Sequence, residues 1–174
     1  MKEYRWVVIG AAWLIVTVLS GGPIAAVDFA SNSPTPSQTR NHSFRYEEEF
    51  VLEKINQLRR ERGLTALKLD TKLQDIARNH SADMAATGYF AHVDPAGRGL
   101  KERLGTARPQ SRVVAGENIQ RNDHADSARI AVESWAQSPS HLQNILDGRY
   151  YATGIGVAVN SQGVVFFTQV FLGK

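Results

Sequence analysis

The pattern of apolar and polar positions divides the chain into three unequal parts. After Lys2 and Arg5, residues 6–27 (WVVIGAAWLIVTVLSGGPIAAV) carry no charge and are broken by Gly21-Gly22-Pro23. An apolar run behind a positive flank is an export signal. The portion before the break has signal-peptide length, while the whole reaches across a bilayer core of ~30 Å at ~1.5 Å per residue. A cleaved signal peptide and a retained anchor both fit, and both place the rest of the chain outside the cytoplasm. Residues 28–45 are rich in Ser, Thr, Pro and Asn and predict a flexible spacer. Within it Asn41-His42-Ser43 matches a glycosylation acceptor. Residues 46–174 hold the periodic patterns of one folded domain.

In that domain a helix is expected from about Tyr46 to Arg62, with Glu47, Glu48 and Glu49 in its first turn, Arg59, Arg60 and Arg62 in its last, and Gly63 as the stop. Val51, Ile55 and Leu58 form its apolar stripe. After a short link, Asp70 is placed to cap a second helix that runs through Thr87 and stops at Gly88. Its stripe is Leu73, Ile76, Ala77, His80 and Met84, so His80 faces the core, where a lone histidine is ordinarily a hydrogen-bonded packing residue. An aromatic loop follows, Gly88-Tyr89-Phe90-Ala91-His92-Val93-Asp94-Pro95, then a short helix over Leu100 to Leu104 and a polar loop, Arg108 to Arg112. Val113 to Gln120 is expected as a strand interrupted at Gly116, with the acid Glu117 beside the glycine. A third long helix covers Asp123 to Ser134, with Ala128, Ala131, Val132 and Trp135 inward. Two strands, Tyr151 to Asn160 and Val164 to Leu172, close the chain around the hairpin Asn160-Ser161-Gln162-Gly163.

The last strand is apolar on both faces: Val164, Phe166 and Val170 on one, Val165, Phe167 and Phe171 on the other. Such a strand must be covered on both sides. With helices preceding it, the expected fold is α+β, an α/β/α sandwich around a small central antiparallel sheet.

Between the third helix and these strands lies Val132 to Leu146. Ser138 offers an N-cap hydroxyl and Pro139 suits the first helical position, which sets His141 in the first turn of a further helix. The positive end of a helix disfavours imidazolium and keeps such a histidine neutral, able to ligate a metal or accept a proton. Taken alone, His141 reads first as a capping or packing residue and only second as a ligand.

Composition narrows the choices. A net charge of +3, with basic and acidic residues interleaved, excludes a nucleic-acid surface and points to solvated helix faces, Arg59 to Arg62 among them. The absence of cysteine excludes disulfides, thiolate metal sites, a thiol nucleophile and a lipidated cysteine anchor.

Three segments stand out together: Phe90-Ala91-His92, Gly116-Glu117-Asn118-Ile119, and Trp135-Ala136-Gln137-Ser138-Pro139-Ser140-His141-Leu142-Gln143-Asn144-Ile145-Leu146, the last followed by Tyr150 to Val157. Their order and spacing resemble the CAP superfamily of cysteine-rich secretory proteins, antigen 5 and plant pathogenesis-related proteins, in its cysteine-free prokaryotic branch, over about Phe50 to Phe171. The resemblance implies an α/β/α sandwich with a central cleft and a tetrad of two histidines and two acids, whose histidines can hold a divalent cation. Carried over by motif, His92 and His141 correspond to the histidines and Glu117 to the first acid. The second acid of eukaryotic members falls at Ser138. Glu133, on the other side of Trp135, is no substitute. The implied cleft comprises His92, Glu117, Ser138, His141 and Asn144.

Two imidazoles and a carboxylate from His92, His141 and Glu117 make a reasonable shell for a divalent cation, Zn²⁺ first among them, weakly held, with open positions for water. Affinity is expected to fall as pH drops through ~6.5, where protons compete for imidazole. Two functions follow. One is an exported binding module whose ligand is a peptide, a lipid or an envelope component. The other is a metal-assisted, peptidase-like hydrolase using His92, Glu117 and His141. A serine mechanism is unsupported, because Ser140 and His141 are neighbours on one helix and point ~100° apart, and there is no G-x-S-x-G elbow. A purely structural envelope protein ranks third. A membrane partner is expected only through a retained N-terminal segment.

Overall fold

The computed structural model describes residues 36–105 and 113–174. The apolar segment 6–27, the first part of the spacer and the loop from Arg108 to Arg112 lie outside these residues. The chain divides into residues 1–33 and a unit of Pro34–Lys174, which is the one described here. Its elements in order are α1 (Pro36–Glu61), β1 (Lys68–Leu69), α2 (Thr71–Thr87), α3 (Leu100–Leu104), β2 (Val114–Asn122), α4 (Ser127–Gln137), α5 (Pro139–Leu146), β3 (Tyr150–Val159) and β4 (Val165–Gly173). Among the described residues no helix is long and apolar enough to cross a membrane.

The sheet has the order β1-β3-β4-β2. β4 is central and antiparallel to both β3 and β2, as expected of a strand apolar on both faces. β1, by contrast, pairs parallel to β3 through only Lys68 and Leu69, so the sheet is mixed rather than wholly antiparallel. The link from α1 to α2 sets this direction. Asn56 grips the backbone of Leu67 through both its amide atoms, and the Asp70 N–H donates to Thr153, so two residues brush the sheet edge in passing.

One face of the sheet is covered by α1, α4 and α5. Val51, Ile55, Ala131, Trp135 and Ile145 meet Ile155, Val157, Phe167 and Phe171 there. The other face is covered by α2, whose Leu73 and Ala77 lie on Ala152, Val170 and Leu172, while Met84 lies on Ile119 and Phe166. The α/β/α sandwich is therefore present. The approach of α2 is very close: a Cβ on Gly154 or Gly156 would lie 2.1 Å from backbone atoms of Gln74 or Arg78, so β3 needs glycine at both positions. This contact sets the height of α2, and hence of His80, above the sheet.

Local signals place most boundaries. The Asp70 carboxylate accepts the N–H groups of Lys72 and Leu73 at the start of α2, and Gly88 ends it at φ +81°. The Asn160 carboxamide oxygen accepts the N–H groups of Gln162 and Val164 in the β3–β4 turn, which Gly163 completes at φ +84°.

Helix α1 departs from expectation twice. It begins at Pro36, ten residues before Tyr46, because Pro at a first helical position is pre-set for a helix and no breaker follows it. Glu47 to Glu49 consequently lie inside the helix rather than in its first turn. Glu48 is buried, and Arg78 and Gln74 of α2 hold its carboxylate, joining the two helical layers beyond the end of β1. Arg59 corrects the reading of a solvated basic face. It is 1% exposed, and its guanidinium donates to the carbonyls of Thr65, Ile145, Asp147 and Tyr150 at 2.7–3.1 Å. The cation at the end of α1 is thus a clamp on the end of α5 and the start of β3.

Candidate functional site

β2 is the strand on which the site is built. Its successive side chains alternate faces, so Glu117 projects toward the α2 side and Asn118 toward α5. Gly116 is no interruption. The strand runs through it, and a Cβ there would meet the Tyr150 hydroxyl at 2.4 Å.

On the α2 side the Glu117 carboxylate is only 3% exposed. Its Oε1 accepts a hydrogen bond from His92 Nδ1 at 2.9 Å, and its Oε2 accepts one from an Arg103 guanidinium nitrogen at 2.7 Å. His92 itself is half-exposed. Its loop is folded around the buried Asp94, whose carboxylate accepts the N–H groups of Ala96 and Arg98 and the Arg98 side chain. These bonds, the Arg98 backbone N–H foremost, hold Asp94 below the usual carboxylate range.

A third histidine stands behind this pair. His80 Nε2 lies 3.8 Å from Glu117 Oε1, beyond hydrogen-bond distance, and is buried without a hydrogen-bond partner. Burial pushes the His80 pKa down, and Arg103 adds to that push while Glu117 opposes it. Its Nδ1 lies 3.4 Å from the Tyr89 hydroxyl, which donates to Asp83 at 3.2 Å. Burial, then the charge of Asp83, push the Tyr89 hydroxyl up to about 12. The packing expected of His80 is real, but the residue packs against the site carboxylate.

On the α5 side, Ser138 occupies the N-cap position before Pro139, yet its hydroxyl makes no capping bond to a backbone N–H. It meets His141 Nδ1 instead, at 2.9 Å. His141, at the third helical position, stands one turn above the hydroxyl and within its reach. The His141 pKa is lowered, as a neutral histidine requires. The causes are burial first and the charge of His92 second, rather than the helix end. The effect of the His92 charge on His141 puts that imidazole within electrostatic reach of it. The Ser138–His141 pair lacks an acid on Nε2 among the described residues, and Ser140 meets only Ser138, so no nucleophilic triad is assembled.

Asn144 donates to the Glu117 carbonyl at 3.2 Å and to the Asn118 carboxamide oxygen at 2.9 Å, and Asn118 donates to the His141 carbonyl at 3.1 Å. Its amide is turned onto the strand, tying α5 to β2. Glu133 pairs with Arg129 on the exposed side of α4, away from these groups. The structure thus brings His92 to Glu117, Ser138 to His141, and Asn144 to the backbone that carries Glu117. Sequence reasoning missed Arg103 and Asn118. Asn118 adjoins a recognised acid and was open to notice, whereas nothing near Arg103 distinguishes it from the other surface-type arginines.

Among the described residues no group of three or more His, Cys, Asp or Glu side chains is arranged to hold a metal ion. Both Glu117 oxygens are engaged, so the donors that remain are the Nε2 atoms of His92 and His141, each opposite an Nδ1 already bonded. Imidazole is a donor suited to borderline-soft divalent cations, and Glu117 orients one of the two rings from behind.

A three-layer α/β/α domain thus carries on the edge strand of its sheet a glutamate that holds one histidine, with a second histidine on α5, the helix tied to that strand. The chain matches CAP, the Cysteine-rich secretory protein family, over residues 52–171, and it belongs to that family. It does so without a single cysteine. Two proteins of Bacillus subtilis are similar over 127 residues and 73% of this chain. The uncharacterized membrane protein YlbC is 36% identical with 34% of its length covered, and the uncharacterized protein YkwD is 34% identical with 47% covered. The chain therefore spans less than half the length of the curated relatives it matches. The crystal structure of an extracellular protein containing an SCP domain from Bacillus anthracis aligns with a TM-score of 0.66 at 29% identity, over 83% of this chain and 45% of that one.

Proposed function

We propose that the protein is an exported, envelope-facing binding module whose cleft, at His92 and His141, takes up a peptide, a lipid or another envelope component and weakly holds a divalent cation such as Zn²⁺. Its apolar residues 6–27 support export, as does its likeness to an extracellular and to a membrane protein. The observation that carries the reading is the state of Glu117. With one oxygen on Arg103 and the other on His92, it is an orienting group rather than a free base, which favours binding over turnover.

When bound, a cation would polarise a ligand oxygen or a water, held by His92 and His141. The chain's own contribution is to aim the rings. Glu117 accepts from His92 Nδ1 and Ser138 meets His141 Nδ1, leaving both Nε2 atoms for the cleft. Calorimetric titration of the full-length protein with Zn²⁺ tests the cation reading, with loss of binding expected in the His92→Ala, His141→Ala double variant. Equal binding by that variant would sink it. Incubation of captured envelope material with wild type and Glu117→Gln separates binding from hydrolysis. Capture without chemical change supports the binding module, and a change in the material that Glu117→Gln abolishes would establish the hydrolase instead.

A further inference from the structure

We propose that Arg103 is a positioning residue for this cleft, setting which ring nitrogen His92 presents to a ligand; the inference rests on the reading of His92 as a binding group. The Arg103 side chain is 13% exposed. One of its terminal nitrogens donates both to Glu117 Oε2 at 2.7 Å and to the backbone carbonyl of His92 at 3.1 Å, and the other donates to the Arg98 carbonyl at 3.1 Å. A single guanidinium thus fastens the acid on β2 to the backbone of the histidine that the acid addresses. Its own helix, α3, is anchored by Leu100 and Leu104 against the core under α2.

The consequence is chemical. With Oε2 held by Arg103, Oε1 faces His92 Nδ1 at 2.9 Å. A carboxylate only accepts hydrogen bonds, so His92 Nδ1 is the donor, and in the neutral ring the lone pair belongs to Nε2, the atom left for the cleft. A competitor waits behind: His80 Nε2, buried and without a hydrogen-bond partner, is 3.8 Å from that same Oε1. Arg103 holds the carboxylate in the rotamer that serves His92 and not His80. Without it, Glu117 turns toward His80 and His92 loses the bond that fixes its tautomer. A planar fork with several donors performs this; a lysine offers one compact donor group and cannot span the three acceptors.

Long-range proton–nitrogen spectra of the histidine rings in the full-length protein at pH 8, where free imidazole is neutral, read the tautomer directly. In the wild type His92 is expected as the Nδ1–H form. In Arg103→Gln it is expected as a mixture weighted to Nε2–H, with Arg103→Lys between the two and Glu117→Gln like Arg103→Gln. Should Arg103→Gln fail to fold, Arg103→Lys carries the same readout. His92 held as Nδ1–H in a folded Arg103 variant would overturn the proposal and leave Arg103 a staple of the loop. A Zn²⁺ titration forms the second arm, with affinity expected to fall about tenfold or more in Arg103→Gln, the usual effect of losing a group behind a ligand. If the wild type takes up no Zn²⁺ while the tautomer shifts as expected, the cation reading fails and the positioning role stands.

Discussion

Replacing Arg59 by Met removes a buried cation while keeping most of its apolar stem. Four carbonyls, on Thr65, Ile145, Asp147 and Tyr150, then lose the guanidinium's hydrogen bond, Asp147 keeping only a longer one from the Tyr150 N–H. Hydrogen bonds from a charged donor contribute about 1.5–3 kcal/mol each, so the gross loss is about 6–12 kcal/mol. Relief of the guanidinium's desolvation, which holds its pKa down, offsets several kcal/mol of that. A net loss of about 3–5 kcal/mol is expected, in the range seen when a buried ionic contact is broken on one side only. For a domain of this size the melting temperature then falls by roughly 10–15 °C. Urea denaturation followed by far-UV circular dichroism measures it, with Arg60→Met, one residue away on an exposed position, as the control expected to change stability by less than about 0.5 kcal/mol. If Arg59→Met were as mild as the control, the clamp between α1, α5 and β3 would be refuted and the basic end of α1 would be the solvated face its sequence first indicates.

Three further outcomes follow from the geometry. Gly156→Ala drives a Cβ into the backbone of Ala77 and Arg78, so α2 must move; a loss of about 1–3 kcal/mol or more is expected, with His80 ring resonances shifted, and a variant with wild-type melting temperature would contradict the close approach. His80 has a pKa lowered by burial, so below the unfolded value of ~6.5 the unfolded chain binds a proton that the folded one refuses. Stability is thus fullest above that pH and declines as pH falls through it. His80→Gln should flatten the decline between pH 7.5 and 5.5 in urea midpoints, and an unchanged slope would count against it. Ser138→Ala removes a hydroxyl that contacts His141 rather than the helix backbone, so it should cost less than the ~1 kcal/mol of an ordinary lost cap while shifting the His141 ring signals; a full cap-sized loss would restore the capping role.

The pattern of residues along the chain determined the layers. The two apolar faces of β4 demanded cover on both sides, and the Asp70 and Gly88 signals bounded α2 because capping is local chemistry, decided within a turn of backbone. His92, Glu117 and His141 were legible for a different reason, since each sits in a segment whose neighbours carry a family likeness. What lies between these residues was decided only by the tertiary structure. A guanidinium 14 residues upstream in α3 occupies one oxygen of Glu117, and a histidine on the core stripe of α2 stands behind the other. Arg59 reaches carbonyls as many as 91 residues away. A charge close in sequence to other charges looks solvated until the fold removes the water around it. Whether it has been removed depends on which elements pack together, and that no local pattern encodes.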